Sequence, residues 1–245
     1  MPVPGEVFYL PPDPREPEGK GHRPHVLLSL CVPGTDLVTL AYGSTKRNDA
    51  AFGAEHVLVD PFANTYRGTG LVQPTYVYPS RLVSRSVDIP GSCAGRIIDE
   101  LPSIRAGLAR ALGLGTGVTR EANVRGSNRR GRVIETSEEV VTDWDVTHAL
   151  VVTEPGYSRY GYQQTVIPLL DQSFEQRDLD VGIFDPSWLG TSSARYRNGM
   201  IAVPMVSTLF LPEHIARFLD VVVPADVMDE VDRALAAHFA LERRV

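Results

Sequence analysis

Arg23 stands between two histidines, His22 and His25, at the head of the apolar run Val26-Leu27-Leu28-Ser29-Leu30. A guanidinium presents paired donors that match phosphate oxygens, and histidine titrates near the working pH. The trio therefore has the residue types needed to stabilise charge on phosphorus and to move a proton. Alternation along a strand places Arg23 and His25 on one face and His22 on the other. Further cations follow at Lys46-Arg47, Arg81 and Arg85, where they can line a groove that holds phosphates. Tyr66, Tyr76 and Tyr78 have faces on which bases can stack, although Tyr76 also reads as core. Plainer alternatives stay open. Arg23 can pair with Glu16 or Glu18, His25 can be buried against its own strand, and the exposed charges need no function.

Other chemistry is poorly represented. His56, His148, His214 and His238 lack metal-ligand spacing, so neither a zinc site nor any cofactor is expected. The glycine cluster Gly113-Leu114-Gly115-Thr116-Gly117 follows a helical pattern, whereas a phosphate-cradling loop would follow a strand. Two cysteines, Cys31 and Cys93, read as reduced thiols.

The elements that must position these groups are short. Val7–Leu10 reads as a strand that enters a Pro- and Gly-rich loop, residues 11–21, in which regular pairing is blocked. A buried strand over Val26–Leu30, a third over Leu37–Tyr42, and shorter ones at Val57–Val59 and Thr75–Val77 follow. From Leu101 the period changes: Ile104, Leu108 and Leu112 recur on one helical face, Pro102 suits the first turn, and Gly113 stops the helix.

This arrangement recurs. Gly5-Glu6-Val7-Phe8 returns as Gly131-Arg132-Val133-Ile134, and His25-Val26-Leu27-Leu28 as His148-Ala149-Leu150-Val151. Leu58-Val59-Asp60-Pro61 returns as Ile183-Phe184-Asp185-Pro186, and the helical Leu108–Leu112 as Val231–Leu235. Four matches in the same order predict a duplicated module. The expected organisation is a domain over 1–115, a linker over 116–131 and a second domain over 132–245. The linker region is rich in Gly, Asn and Arg, and Arg125, Arg129, Arg130 and Arg132 can either touch phosphate or stay solvated.

Charge divides along the same line. Residues up to Gly117 hold 11 Lys and Arg against 11 Asp and Glu, so the net charge of -6 lies in the remainder. An acidic total disfavours loose nucleic-acid binding driven by counterion release, but it leaves room for a local basic groove. No stretch approaches the roughly 18 apolar residues of a membrane span, and the N-terminus lacks the pattern of a secretory signal, so a cytoplasmic location is expected.

Several of these residues together resemble the MazF/PemK toxins of bacterial toxin-antitoxin systems. The likeness runs through Gly5-Glu6-Val7-Phe8, the Pro-rich loop, and Gly21-His22-Arg23-Pro24-His25-Val26-Leu27-Leu28-Ser29. It continues through Tyr42-Gly43-Ser44-Thr45, Tyr78-Pro79-Ser80-Arg81-Leu82 and Gly95-Arg96-Ile97. It covers residues 5–114; the second module follows in outline, most clearly at Val227–Leu235. The resemblance implies a mainly β fold with short helices, in which two SH3-like barrels of the MazF/PemK/CcdB type share one chain and pack as a pseudo-dimer. It also implies cleavage of single-stranded RNA without a metal. In that chemistry Arg23 stabilises the charge growing on phosphorus, Ser44 or Thr45 adds a neutral donor, and His25 or His22 carries a proton. His22, Lys46, Arg47, Arg81 and Arg85 become RNA contacts. On its own, Gly-Ser-Thr is ordinary turn chemistry.

The second module departs where that chemistry would lie. Aligned on the histidines, Val146-Thr147 replaces Arg23-Pro24; with the third strand aligned on Thr165 to Leu170, Asp171-Gln172 falls opposite Ser44-Thr45, where a carboxylate would repel phosphate. The expected protein is a monomer with one working site, growth-inhibiting, with an antitoxin as a possible partner. The alternative, from another class, is a non-catalytic relative that sequesters an antitoxin or binds a protein target, as the related gyrase poisons do. The acidic second half favours binding, and the retained Arg23-Pro24 and Ser44-Thr45 favour catalysis.

Overall fold

The computed structural model describes residues 2–11, 21–29, 37–48, 55–63, 65–86, 92–114, 130–137, 147–153, 163–171, 181–183, 200–204, 206–210 and 214–241. The chain divides into two compact units, Met1–Ala111 and Leu112–Val245. Residues 115–129, most of the expected linker, lie outside the described residues, as do Glu16, Glu18 and Cys31. Both units are mainly β, and no helix among the described residues is long and apolar enough to cross a membrane.

In the first unit, β1 (Glu6–Leu10), β2 (Arg23–Leu27), β3 (Leu37–Ser44), β4 (Val57–Val59), β5 (Thr75–Ser86) and β6 (Gly95–Arg96) precede helix α1 (Leu101–Ala111). The strands form an antiparallel sheet in the order β4-β5-β3-β2-β1-β6. Alternation divides the apolar residues between two faces. Phe8, Leu10, Leu27, Val38 and Leu40 cluster together with Val83 against them. Helix α1 buries Ile104, Gly107, Leu108 and Ala111, packs against β5 and β4, and is followed by Gly113 at a φ of 65°. Each fully buried Leu or Ile of this set contributes about 1.5–3 kcal/mol.

Several boundaries differ from expectation: β1 starts one residue early, β2 ends at Leu27, β3 runs on to Ser44, and two further shifts have a cause in the pairing. Strand β2 starts at Arg23, three residues early, because Leu10 and Tyr9 of β1 pair with Arg23 and Pro24. Strand β5 continues to Ser86 through Pro79, a residue that normally ends a strand. Its register against β3 jumps between the pairs Ala41–Leu82 and Tyr42–Tyr78, so Pro79, Ser80 and Arg81 occupy a bulge. A missing N–H costs the ladder nothing there.

In the second unit, β7 (Arg132–Thr136), β8 (His148–Val151), β9 (Gln163–Asp171), β10 (Val181–Ile183), β11 (Met200–Ala202), β12 (Ser207–Phe210) and β13 (Ile215–Val222) precede helix α2 (Ala225–His238). The sheet order is β10-β11-β9-β8-β7-β13, with β12 also on β9. This is the order of the first sheet, with β11 and β12 in the place of the bulged β5.

Backbone hydrogen bonds match position by position. The N–H of Gly5 donates to the Leu27 carbonyl and that of Gly131 to the Val151 carbonyl. Ile97 donates to Gly5 as Val223 does to Gly131, and Leu28 to Thr39 as Val152 does to Thr165. Both glycines have positive φ, 94° and 77°. The hydroxyls of Ser29 and Thr153 accept from the N–H of Thr39 and Thr165 at 2.7 and 2.6 Å.

These pairs correct the alignment drawn from the histidines. Val7 pairs with Val26 and Val133 with Leu150, so Leu150 corresponds to Val26, and Ala149, not His148, corresponds to His25. Likewise Val59, not Leu58, is matched by Ile183. Matching residue identity slipped the strand by one position because the loop before it differs in length between the units.

Candidate active site

Strand β2 and the end of β3 position the residues of interest. His25 pairs with Phe8 on one side and with Tyr42 on the other, and Tyr42 in turn pairs with Tyr78. Residues directly opposite in an antiparallel sheet share a face, so Phe8, His25, Tyr42 and Tyr78 form one row across four strands. Two residues further along each strand, Arg23 and Ser44 reach the same end of that face. Gly43 makes the close approach possible on the other face. A Cβ there would fall 2.9 Å from the Pro24 carbonyl oxygen and 3.1 Å from both Pro24 Cγ and Thr75 Cγ2.

The His25 ring is buried, and its Nδ1–H donates to the Arg23 carbonyl at 3.0 Å. Burial holds its pKa at about 4, well below the usual 6.5; the bond to the Arg23 carbonyl opposes the shift, and the charges of Arg81 and Arg85 add to it. His25 is therefore neutral at physiological pH. The ring edge meets Tyr42 at 5.5 Å and 80°, and the Arg81 guanidinium lies over the Tyr42 ring, 4.0 Å from its centroid. Ser44 is buried, and its hydroxyl accepts from the Lys46 N–H at 3.2 Å. Thr45 is half-buried.

The other predicted contacts scatter more widely. Lys46 and Arg47 are exposed just beyond Ser44. Arg85 is exposed, and its Nη1 donates to the Ser84 carbonyl at 3.1 Å. His22 is exposed next to Arg23. Of the stacking candidates, Tyr66 is exposed, Tyr76 is half-buried edge-on to His56, and Tyr78 is fully buried with its hydroxyl accepting from the Asn48 N–H at 2.8 Å. Tyr78 thus belongs to the core and cannot meet a base. In the linker cluster, Arg130 donates to the Val152 carbonyl and pairs with Asp232, so it serves the fold of the second unit. Cys93 is an exposed free thiol. No group of three or more His, Cys, Asp or Glu among the described residues could hold a metal ion.

The corrected register replaces the polar row in the second unit. Thr147 corresponds to Arg23, His148 to Pro24, Ala149 to His25, Pro168 to Tyr42 and Leu170 to Ser44. Asp171 therefore falls opposite Thr45, not Ser44, and Gln172 lies outside the described residues. On this face Ile134, Ala149, Val151, Val166, Leu209 and Ile215 form an apolar cluster.

Two residues of the site, Tyr42 and Gly43, carried no chemical signal beyond their place in the resemblance. A buried tyrosine under a guanidinium becomes visible only once the β5 bulge is known.

No family model matches the chain, and no curated protein matches it. Among solved structures it is similar to an endoribonuclease in complex with its cognate antitoxin from mycobacterial species. The identity is 20%, over 47% of this chain and 97% of that one, with a TM-score of 0.35. A likeness at that score fixes neither family nor activity for this chain.

Proposed function

We propose that the chain is a metal-independent endoribonuclease of the MazF/PemK type that cuts single-stranded RNA and restrains growth as the toxin of a toxin-antitoxin pair. The supporting observation is the convergence of Arg23 and Ser44 at one end of the face that also carries His25, Tyr42 and Arg81. The 2'-hydroxyl oxygen attacks the adjacent phosphorus, the 2'-O–P bond forms, and the bond from phosphorus to the 5'-oxygen breaks. Arg23 stabilises the charge on the non-bridging oxygens, and Ser44 or Thr45 adds a neutral donor. The 2'-hydroxyl proton passes to an imidazole, either the exposed His22 or the buried, neutral His25, and the departing 5'-oxygen takes up a proton from that imidazolium or from solvent.

Each unit is read as an SH3-like barrel and the pair as tandem copies, a reading supported by the common strand order and matched hydrogen bonds. The second copy is read as silent, because apolar or small residues stand at the positions of Arg23, His25 and Ser44. It takes the role of a twin subunit, so the working form is a cytoplasmic monomer.

Incubation with a long single-stranded RNA in EDTA tests the proposal. Fragments ending in 2',3'-cyclic phosphate or 3'-phosphate are expected; intact RNA, or cleavage only with magnesium, sinks it. The acidic second half, with 13 Lys and Arg against 19 Asp and Glu beyond Gly117, favours the second reading, a non-catalytic binder of an antitoxin or another protein. Intact RNA under every condition would leave that reading standing.

A further inference from the structure

The Tyr42 ring is only 6% exposed, yet it meets two polar side chains: the His25 imidazole at its edge and the Arg81 guanidinium over its face. Arg81 sits in the bulge of β5, among three residues that have no register partner on β3. Bulges re-aim side chains, and here the redirected chain returns across the sheet to the ring of the neighbouring strand. A guanidinium over a buried aromatic face is attracted by the ring quadrupole more strongly than one over an exposed ring. A leucine is apolar but smaller and has no ring, so it would lack that attraction. In the second unit Pro168 and Ala149 stand where Tyr42 and His25 stand in the first, so the platform is missing together with Arg23 and Ser44.

We propose that Tyr42 is a positioning residue of the Arg23 site: its buried ring holds the Arg81 guanidinium on the face shared with Arg23 and Ser44, as a second cation for the phosphodiester of a single-stranded nucleic acid. The role in cleavage rests on the endoribonuclease reading, whereas the hold on Arg81 and its effect on phosphodiester binding do not.

The test compares full-length Tyr42→Phe, Tyr42→Leu and Arg81→Ala chains. Two readouts are independent of cleavage: the Nε–Hε resonance of Arg81, displaced by the ring current of the wild-type ring, and affinity for a single-stranded oligodeoxynucleotide, which lacks the attacking hydroxyl. Tyr42→Leu is expected to return the Arg81 resonance to the free-arginine position and to weaken the oligonucleotide about tenfold, whereas Tyr42→Phe restores both to within about threefold of wild type. Arg81→Ala is expected to weaken binding as much as Tyr42→Leu, and combining the two should cost nothing more. An unmoved resonance in Tyr42→Leu, a Tyr42→Phe chain as impaired as Tyr42→Leu, or Arg81→Ala binding like wild type overturns the proposal. Should Tyr42→Leu fail to fold, Arg81→Ala and Tyr42→Phe still decide it. A wild-type chain that shows the expected shifts but leaves RNA intact removes the endoribonuclease reading and keeps the platform.

Discussion

His25 and Tyr42 face each other directly across β2 and β3, ring centroids 5.5 Å apart and planes at 80°. Burial keeps His25 neutral there, with the charges of Arg81 and Arg85 acting in the same direction, and this gives the first unit a titration of its own.

Stability should therefore depend on pH in both units. His25 in the first unit and His238 in the second have folded-state pKa values of about 4, each lowered chiefly by burial from 6.5. Because the unfolded chain takes up the proton first, stability is full above pH 6.5 and falls as pH drops from there to about 4. The loss is of order 3 kcal/mol for each histidine. Urea midpoints between pH 7.5 and 4.5 check this. His238→Leu should flatten the decline of the second unit alone, and a pH-independent midpoint in that window would contradict the assignment.

The two glycines at the matched junctions should respond unequally to the same change. A Cβ at Gly5 would sit 2.4 Å from the Ile97 carbonyl oxygen, whereas at Gly131 the nearest atom is 3.6 Å away. Both have positive φ, which costs an alanine about 1–2 kcal/mol. Gly131→Ala should lose only that amount, and Gly5→Ala clearly more. Equal losses in chemical denaturation would mean that the Ile97 strand end yields easily.

Much of the first unit was legible from residue 5 onward because its strands are short apolar runs bounded by Pro and Gly, and α1 has a clear four-residue period. The ends of strands were not. The apolar run begins only at Val26, and pairing with Tyr9 and Leu10 is what draws Arg23-Pro24 into β2. The expected strand stopped at Val77, before a proline, and only the bulge lets β5 run through Pro79. The strand order common to the two units was visible in the sequence, but the residue matching slipped by one position, since His148 resembles His25 in identity and not in strand pairing. The candidate site was legible as residue types; the Tyr42 ring that joins His25 to Arg81 was not, because a tyrosine in a strand usually signals only packing.

The solution state follows from reading the second unit as an internal twin. Light scattering should give the mass of one chain, 26.9 kDa. A stable symmetric dimer at micromolar concentration would contradict that reading.

The central claim, one metal-independent working site built on Arg23, is tested most directly by the rate at which wild-type and Arg23→Ala chains cut the same long single-stranded RNA in EDTA. Loss of a transition-state charge donor predicts cleavage by wild type and a rate lower by at least about a hundredfold for Arg23→Ala. Arg23→Ala activity within a few fold of wild type, or a wild-type chain that leaves the RNA intact, would contradict it.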